Sequence, residues 1–418
     1  MAPHRKRLVE NLVSLSMVQG ISIVFPLITF PYLIRVLGIE GFGIFSLVQT
    51  FIMYFDLLVS FGFGLTATKR IAANMQDELM VKKIIVAVYI LKTILFLISF
   101  IVFIACSFTP FLQGHVYLLP LSSFYLLGNM LFPDWYFQGI QKMKNITFVT
   151  IVSKTVSLLL ILVLVKEKTD LEYAIIAMSA GNMVAGVIAI IFMFKNLSKG
   201  FLLPDLVFIK NIFKESSYIF MSIILAPLYT SVNIFILRIF TNPLMVGYYA
   251  VAEKILNAIG MLTNIINRTF YPYLSQLYVS SLQAYKRNIN KLIVIITGIF
   301  LVFSLAQFFG ASLIIKLLLE KEHGEDISYS VAILKIMSAA LFFSPFVSFF
   351  FQLMIIQEQK KESIINISIA AIINVIMGSI FTYLWAGKGL AVNLCLVVML
   401  MFFLNRRSFI RKMKSLNA

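Results

Sequence analysis

Phe25–Phe45 reads FPLITFPYLIRVLGIEGFGIF: an apolar run with two prolines, Pro26 and Pro31, then an arginine, Arg35, and then a glycine-rich turn. A proline inside a helix removes one backbone hydrogen bond and bends the helix. The stretch therefore reads as the end of an apolar helix that is kinked along its length and carries a cation at its tip. The rest of the chain has the same character. Its 418 residues are 60% hydrophobic and 13% charged, with a mean hydropathy of +0.95. Soluble domains run at about 45–50% apolar and about 25% charged, and no water-soluble fold of this length hides that much apolar surface. The apolar runs are continuous rather than alternating, which excludes a membrane β-barrel and leaves an all-α integral membrane protein.

Other features narrow the function classes. Cys106 and Cys395 fall in apolar runs, and His4, His115 and His323 lie in the tail or in loops, so neither a disulfide framework nor a metal site is expected. No nucleotide-binding loop of the Walker type occurs, so no cofactor and no ATP are expected. The net charge of +17 is assigned to loops held in the cytoplasm, not to nucleic acid. Arg5, Lys6 and Arg7 ahead of an apolar run resemble a signal peptide, but the run is too long and lacks a small-residue cleavage site, so it reads as a retained first span.

A helix crosses the hydrocarbon with about 20 apolar residues. Twelve spans are expected: 11–37, 43–67, 84–108, 116–137, 146–165, 172–194, 216–240, 246–272, 291–315, 329–356, 364–385 and 389–405. The odd-numbered connections carry six Lys and Arg, and the even-numbered ones with both tails carry twenty-three. This bias puts both termini in the cytoplasm. The longest outer connection is the acidic one at 320–326. The segment 196–215 mixes Phe208, Ile209 and Phe213 with lysines, and reads as a cytoplasmic amphipathic linker. It separates an N-terminal six-helix bundle, 1–195, from a C-terminal one, 216–418.

The two halves repeat. PYLIRVLGIEGFGIF closes the first span and FILRIFTNPLMVGYY the seventh; Arg35 precedes Gly43 by eight residues, and Arg238 precedes Gly247 by nine. Pro227 precedes Arg238 as Pro26 and Pro31 precede Arg35. Six spans per half preserve orientation, so the repeat axis would lie along the membrane normal. The three prolines are candidate hinges; the competing reading is that proline is simply common in membrane helices.

Ionisable groups inside spans cost about 2.5–3.5 kcal/mol on insertion scales and normally face a wet interior. The cations are Lys92, Lys154, Arg238, Lys254, Arg268 and Lys335, and the acids are Asp56, Asp134 and Glu253. Lys92, Arg268 and Lys335 are near enough to span ends to snorkel. Glu253, Asn257, Gly260, Asn264 and Arg268 share one face of the eighth span; Gln49, Asp56, Ser60 and Gly64 share one of the second, and Asn366, Asn374 and Gly378 one of the eleventh. Such a stripe lines a cavity or glues packed helices. The cationic bias suits an anionic ligand, and arginine grips phosphate through paired donors. Arg35, Lys154, Arg238, Lys254 and Arg268 are the candidate contacts to an anionic head group, with an interfacial anchor as the other reading of Arg35. Asp56, Glu253, Asn257 and Asn264 are the candidate coupling or cavity polar residues. Either acid could load a proton or a sodium ion, or pair with a neighbouring cation.

Several segments resemble a known family. VQGISIVFPLITFPYLIRVLGIEGFGIF with FGFGLTATKRIA, PDWYFQGIQKMK, VGYYAVAEKI and YPYLSQL are similar to stretches of the Wzx-type O-antigen flippases, polysaccharide transporters of the superfamily that also holds the MATE exporters and the lipid II flippases. The resemblance implies a MATE-like fold of twelve helices in two pseudo-symmetric six-helix bundles and no catalytic residue. It implies alternating access that carries an undecaprenyl-diphosphate-linked oligosaccharide from the inner to the outer leaflet of a bacterial cytoplasmic membrane. Membrane lipids, a coupling proton or sodium ion, and glycan polymerase and assembly proteins are the implied partners. A lipid II flippase remains an alternative, as does a MATE-type drug exporter, although a site for cationic drugs should be richer in acids. A membrane glycosyltransferase or polymerase would need a larger outer loop with a catalytic carboxylate or histidine.

Overall fold

In the computed structural model the described residues are 3–319, except 113, 199 and 201, together with 327–415; the side chains of 3–13, 15, 23, 110, 226, 264, 265 and 268 fall outside the description. The acidic connection 320–326 therefore lies outside it. Among the described residues the regular elements are helical. They are α1 (Pro3–Ser60), α2 (Phe63–Ala73), α3 (Glu78–Ser107), α4 (Leu118–Leu131), α5 (Asp134–Gly139), α6 (Met143–Leu164) and α7 (Leu171–Lys195). There follow α8 (Leu206–Thr230), α9 (Asn233–Phe240), α10 (Pro243–Ser280), α11 (Leu282–Leu319), α12 (Ser328–Ile356) and α13 (Lys360–Ser415), with one short 3₁₀ turn after α3. Among the described residues seven helical stretches are long and apolar enough to cross a membrane, eight if α8 and α9, bent by 49° at their junction, count as one. The chain is a multi-pass membrane protein.

Helix length exposes where the chain turns. At 1.5 Å per residue, the 58 residues of α1 would run to about 87 Å if straight, nearly three times the hydrocarbon thickness. The helix is interrupted at Gly38, whose φ of 74° and ψ of 174° belong to glycine alone. Pro26 and Pro31 sit inside α1 with helical backbone around them, so the marked break falls beyond Arg35 and not at either proline. In α13, of 56 residues, Trp385 and Ala386 form the corresponding interruption. The end of α1 holds a further departure from the expected second span: Phe61 and Gly62, with φ of 40° and 75°, separate it from α2. Gly64 is thereby taken off the face it was expected to share with Gln49, Asp56 and Ser60. Likewise Phe132 is extended ahead of Pro133, as a residue before proline prefers, and splits α4 from α5.

The chain forms two compact units. One holds 1–37 and 47–224; the other holds 38–46 and 225–418. In the first unit, the aromatic segment after Pro133 buries Trp135, Tyr136 and Phe137 against Phe63, Ala67 and Ile71 of α2 and Ile84, Val88 and Leu91 of α3. The first turns of α8 are anchored there too. Phe61 stacks on Phe213 and Phe220 with centroids at 4.8 and 4.6 Å, and Arg70 Nε donates to Glu215 Oε2 at 2.8 Å. The stretch 206–215 is thus the beginning of a helix continuing to Thr230. Its apolar Leu206 and Val207 are exposed, as an interfacial segment would present them.

In the second unit the two glycine segments that the sequence pairs lie against each other. A Cβ on Gly43 would stand 2.2 Å from the Pro243 carbonyl oxygen and 2.6 Å from Gly247 N, and one on Gly247 would stand 1.9 Å from the Ile39 carbonyl oxygen. Ile39 precedes Gly43 by four residues, as Pro243 precedes Gly247. The contact is therefore reciprocal. Small residues let helix backbones approach this closely in membranes. The rest of this unit's core is built from α10 to α13, with Tyr285, Phe300, Leu341, Phe349 and Leu353 buried.

Candidate functional site

The first unit carries a chain of polar side chains through its interior. Asn129 Nδ2 on α4 donates to Asp56 Oδ1 on α1 at 2.8 Å, and Asn182 Nδ2 on α7 donates to Asn129 Oδ1 at 3.2 Å. Ser153 Oγ on α6 donates to Asn182 Oδ1 at 3.2 Å. Lys92 on α3 donates from Nζ to the Asn129 carbonyl oxygen at 3.0 Å and is only 3% exposed. It does not snorkel; its ammonium group is turned into the bundle, where the α4 terminus before Phe132 supplies a carbonyl. Asp56, half-buried, thus has helix-bridging partners, and the chain of bonds that starts from it links four helices. Lys154 follows Ser153 directly but points elsewhere: its Nζ lies 4.8 Å from the centre of the Phe25 ring of α1, beside Pro26. Arg35 is exposed near the end of the first part of α1, and Tyr32 Oη, one turn earlier, donates to the Val165 carbonyl oxygen at 2.7 Å.

The second unit has its own polar chain. Asn233 Nδ2 on α9 donates to Tyr249 Oη at 3.1 Å, Asn374 Nδ2 donates to Asn233 Oδ1 at 3.0 Å, and Asn393 Nδ2 donates to Asn374 Oδ1 at 2.7 Å. All three asparagines are fully buried. Asn366 Nδ2 donates to Asn405 Oδ1 at 3.0 Å. For Asn366 and Asn374, then, the stripe on the eleventh span holds the two parts of α13 to each other and to α9, which is the helix-gluing alternative. Arg238, 8% exposed on α9, donates from Nη1 to the Thr241 carbonyl oxygen at 3.1 Å. Thr241 ends that helix, and Asn242 caps the next by accepting from Met245 N at 3.0 Å, with Pro243 in the first turn. Arg238 thus stands three residues before the turn into α10, as Arg35 stands three before Gly38. Pro227 lies inside α8; its carbonyl accepts from Ser231 N at 2.8 Å where the chain bends into α9.

Glu253 and Lys254 are half-buried on α10, and Asn257, one turn on, is exposed. Asn264 and Arg268 lie on the same helix with their side chains outside the described residues. A pocket of about 620 Å³ at the ends of α10, α12 and α13, lined by Tyr278, Glu358, Glu362, Arg411 and Lys412, contains none of these candidates. No group of three His, Cys, Asp or Glu among the described residues could hold a metal ion. Four interior residues were not singled out as site residues from the sequence: Lys92, Asn129, Ser153 and Asn182. The three polar ones carry the signal that marked Asn366 and Asn374, a polar side chain inside an apolar run.

Comparison with known proteins places this geometry. Residues 8–278 match the family model described as "Polysaccharide biosynthesis protein". A protein of Escherichia coli (strain K12) named "Putative O-antigen transporter" is 30% identical over 406 residues, covering 95% of this chain and 97% of that one. A protein of Shigella dysenteriae with the same name is 30% identical over 283 residues, 66% of this chain and 70% of its own. Among solved structures, the inward-facing conformation of a multidrug resistance MATE family transporter of the MOP superfamily matches with a TM-score of 0.73 at 13% identity, covering 97% of this chain and 99% of that one. The lipid II flippase MurJ in an inward closed conformation matches with a TM-score of 0.67 at 14% identity, covering 97% and 89%. The fold is therefore that of the MOP transporters.

Proposed function

We propose a function from one premise: the chain belongs to the polysaccharide biosynthesis protein family. It is a transporter, not an enzyme, and its cargo is a polyprenyl-diphosphate-linked oligosaccharide, the repeat unit of an O-antigen or a similar surface glycan. Twelve spans in two six-helix bundles carry the cargo by alternating access from the inner to the outer leaflet of a bacterial cytoplasmic membrane, with both termini in the cytoplasm. The observation that carries this reading is the full-length relationship to a relative named as an O-antigen transporter.

The interior charges support it. A diphosphate crossing hydrocarbon needs cations along its way, and Arg35, Lys154, Arg238, Lys254 and Arg268 are the residues proposed to supply them. Asp56 or Glu253 loads the coupling proton or sodium ion. Of the two, Asp56 has the clearer route to influence the fold, because its hydrogen bonds run on to α4, α7 and α6. Pro26, Pro31 and Pro227 are proposed as the places where helices flex between states.

Loss of the gene tests the reading. The strain should grow normally, lack one surface glycan, and accumulate the lipid-linked repeat unit on the inner leaflet. Re-expression should restore the glycan. Lysis in place of glycan loss would identify lipid II as the cargo, and an unaltered surface would remove the proposal.

A further inference from the structure

We propose that the groove between α1 and α6 holds the junction of diphosphate and isoprenoid chain when the lipid is part-way across, with Lys154 as the cation that meets the diphosphate. This rests on the cargo proposed above and assigns it a place.

The groove, of about 460 Å³, is lined by Met17, Ile21, Val24 and Ile28 along one face of α1 and by Ile151 and Leu158 on α6, with Lys154 and Thr155 between them. Met17 to Ile28 spans about 16 Å of helix. Met17, Val24, Ile28 and Ile151 are exposed, so an apolar chain can lie along them. Lys154 is the charged side chain in that lining.

Two observations select the occupant. The first is depth. Lys154 lies eleven residues from Met143 and ten from Leu164, the ends of α6, so about 15–16 Å of helix separates it from either side. That is beyond what a lysine stem spans by snorkelling. Resident phospholipids keep their phosphates at the interface; a lipid in transit brings its own to this level. The second is that no counter-charge meets it among the described residues. Lys154 takes part in neither of the ion pairs Arg70–Glu215 and Lys82–Glu78. Lys154 has no carboxylate within 4.0 Å among the described residues, only the face of the Phe25 ring. A cation left this way in an apolar groove suits an anion that arrives with an apolar tail. Thr155 adds a hydroxyl donor beside it, and Gly20 opens the groove on the α1 side, since an added Cβ there would meet nothing within 4 Å.

The test uses the purified full chain in nanodiscs and measures retention of undecaprenyl diphosphate, phosphatidylglycerol and uncharged polyprenol by native mass spectrometry, alongside melting temperature. Lys154→Gln should lower diphosphate retention about tenfold and leave polyprenol retention unchanged. Lys154→Arg should keep most of the diphosphate binding. Gly20→Leu should plug the groove without disturbing its packing and weaken both isoprenoids. Diphosphate retention by a folded Lys154→Gln equal to wild type overturns the assignment, as does phosphatidylglycerol competing on equal terms. If that variant also restores surface glycan in cells, the groove assignment fails while the flippase reading stands. Wild-type protein that retains diphosphate no better than polyprenol overturns the groove assignment and argues against the cargo as well.

Discussion

Gly247→Leu is expected to abolish surface glycan and to yield little or no folded protein. A Cβ at this position would stand 1.9 Å from the Ile39 carbonyl oxygen and 2.7 Å from its carbon, both backbone atoms that no rotamer change can move aside. Overpacking a well-filled site costs about 1–3 kcal/mol even where side chains yield, and here they cannot. Alanine is informative because its two effects oppose. It gains about 1 kcal/mol over glycine in helix propensity, yet at Gly247 the overlap outweighs that gain, so Gly247→Ala should lower the thermal midpoint. Gly43→Ala should do the same against the Pro243 carbonyl oxygen at 2.2 Å. The double variant should fall short of the sum, since both report on one contact. Gly298→Ala, with nothing within 4 Å of the added Cβ, should be neutral or slightly stabilising. Midpoints of the purified variants in detergent decide the matter, and a Gly247→Ala midpoint at or above wild type would show that the two backbones do not touch.

Asn129→Leu is expected to be nearly as damaging, for a different reason. It removes the donor to Asp56 Oδ1 at 2.8 Å and the acceptor of Asn182 at 3.2 Å. A hydrogen bond to a charged group contributes about 1.5–3 kcal/mol, and stranding its half-buried partner adds to the loss. Removing both partners is milder, because Asp56 is then no longer stranded and only Asn182 lacks an acceptor. Asp56→Leu combined with Asn129→Leu should therefore melt above Asn129→Leu alone. Glycan export should stay lost in the double variant, because the proposed ion-loading carboxyl is gone. Stability that falls further in the double variant would contradict the pairing; export that returns would reduce Asp56 to a packing role.

The membrane-helical character was legible because it depends on composition and run length, which need no neighbours to be known. The pairing of two glycine segments was legible too. Arg35 with Gly43 and Arg238 with Gly247 recur about half a chain apart, and the structure brings the two glycines together with reciprocal contacts to Ile39 and Pro243. The places where helices break were harder. Two prolines drew attention to 26–31, but a proline costs one hydrogen bond and the helix continues, whereas Gly38 adopts a backbone closed to other residues. Nor does Phe61 advertise its φ of 40°; that conformation is held by the stack with Phe213 and Phe220, residues about 150 positions away. Lys92 shows the same limit. Position along a span gave its depth, but an isolated charge has no periodic partners to reveal its direction, which shows only in its bond to the Asn129 carbonyl at the end of α4. Asn233 and Asn393 were invisible singly and acquire meaning as a chain with Asn374.

Reconstitution addresses the proposed transport itself. The purified chain would be placed in liposomes whose undecaprenyl-diphosphate-linked repeat unit carries a labelled sugar in one leaflet, and exposure of that sugar on the other side would be followed with an impermeant glycosidase. Transport of this lipid predicts exposure that grows with time and with protein content and slows sharply in Lys154→Gln. Exposure no faster than in protein-free liposomes, from protein shown to be folded and inserted and with a proton or sodium gradient imposed, would contradict it.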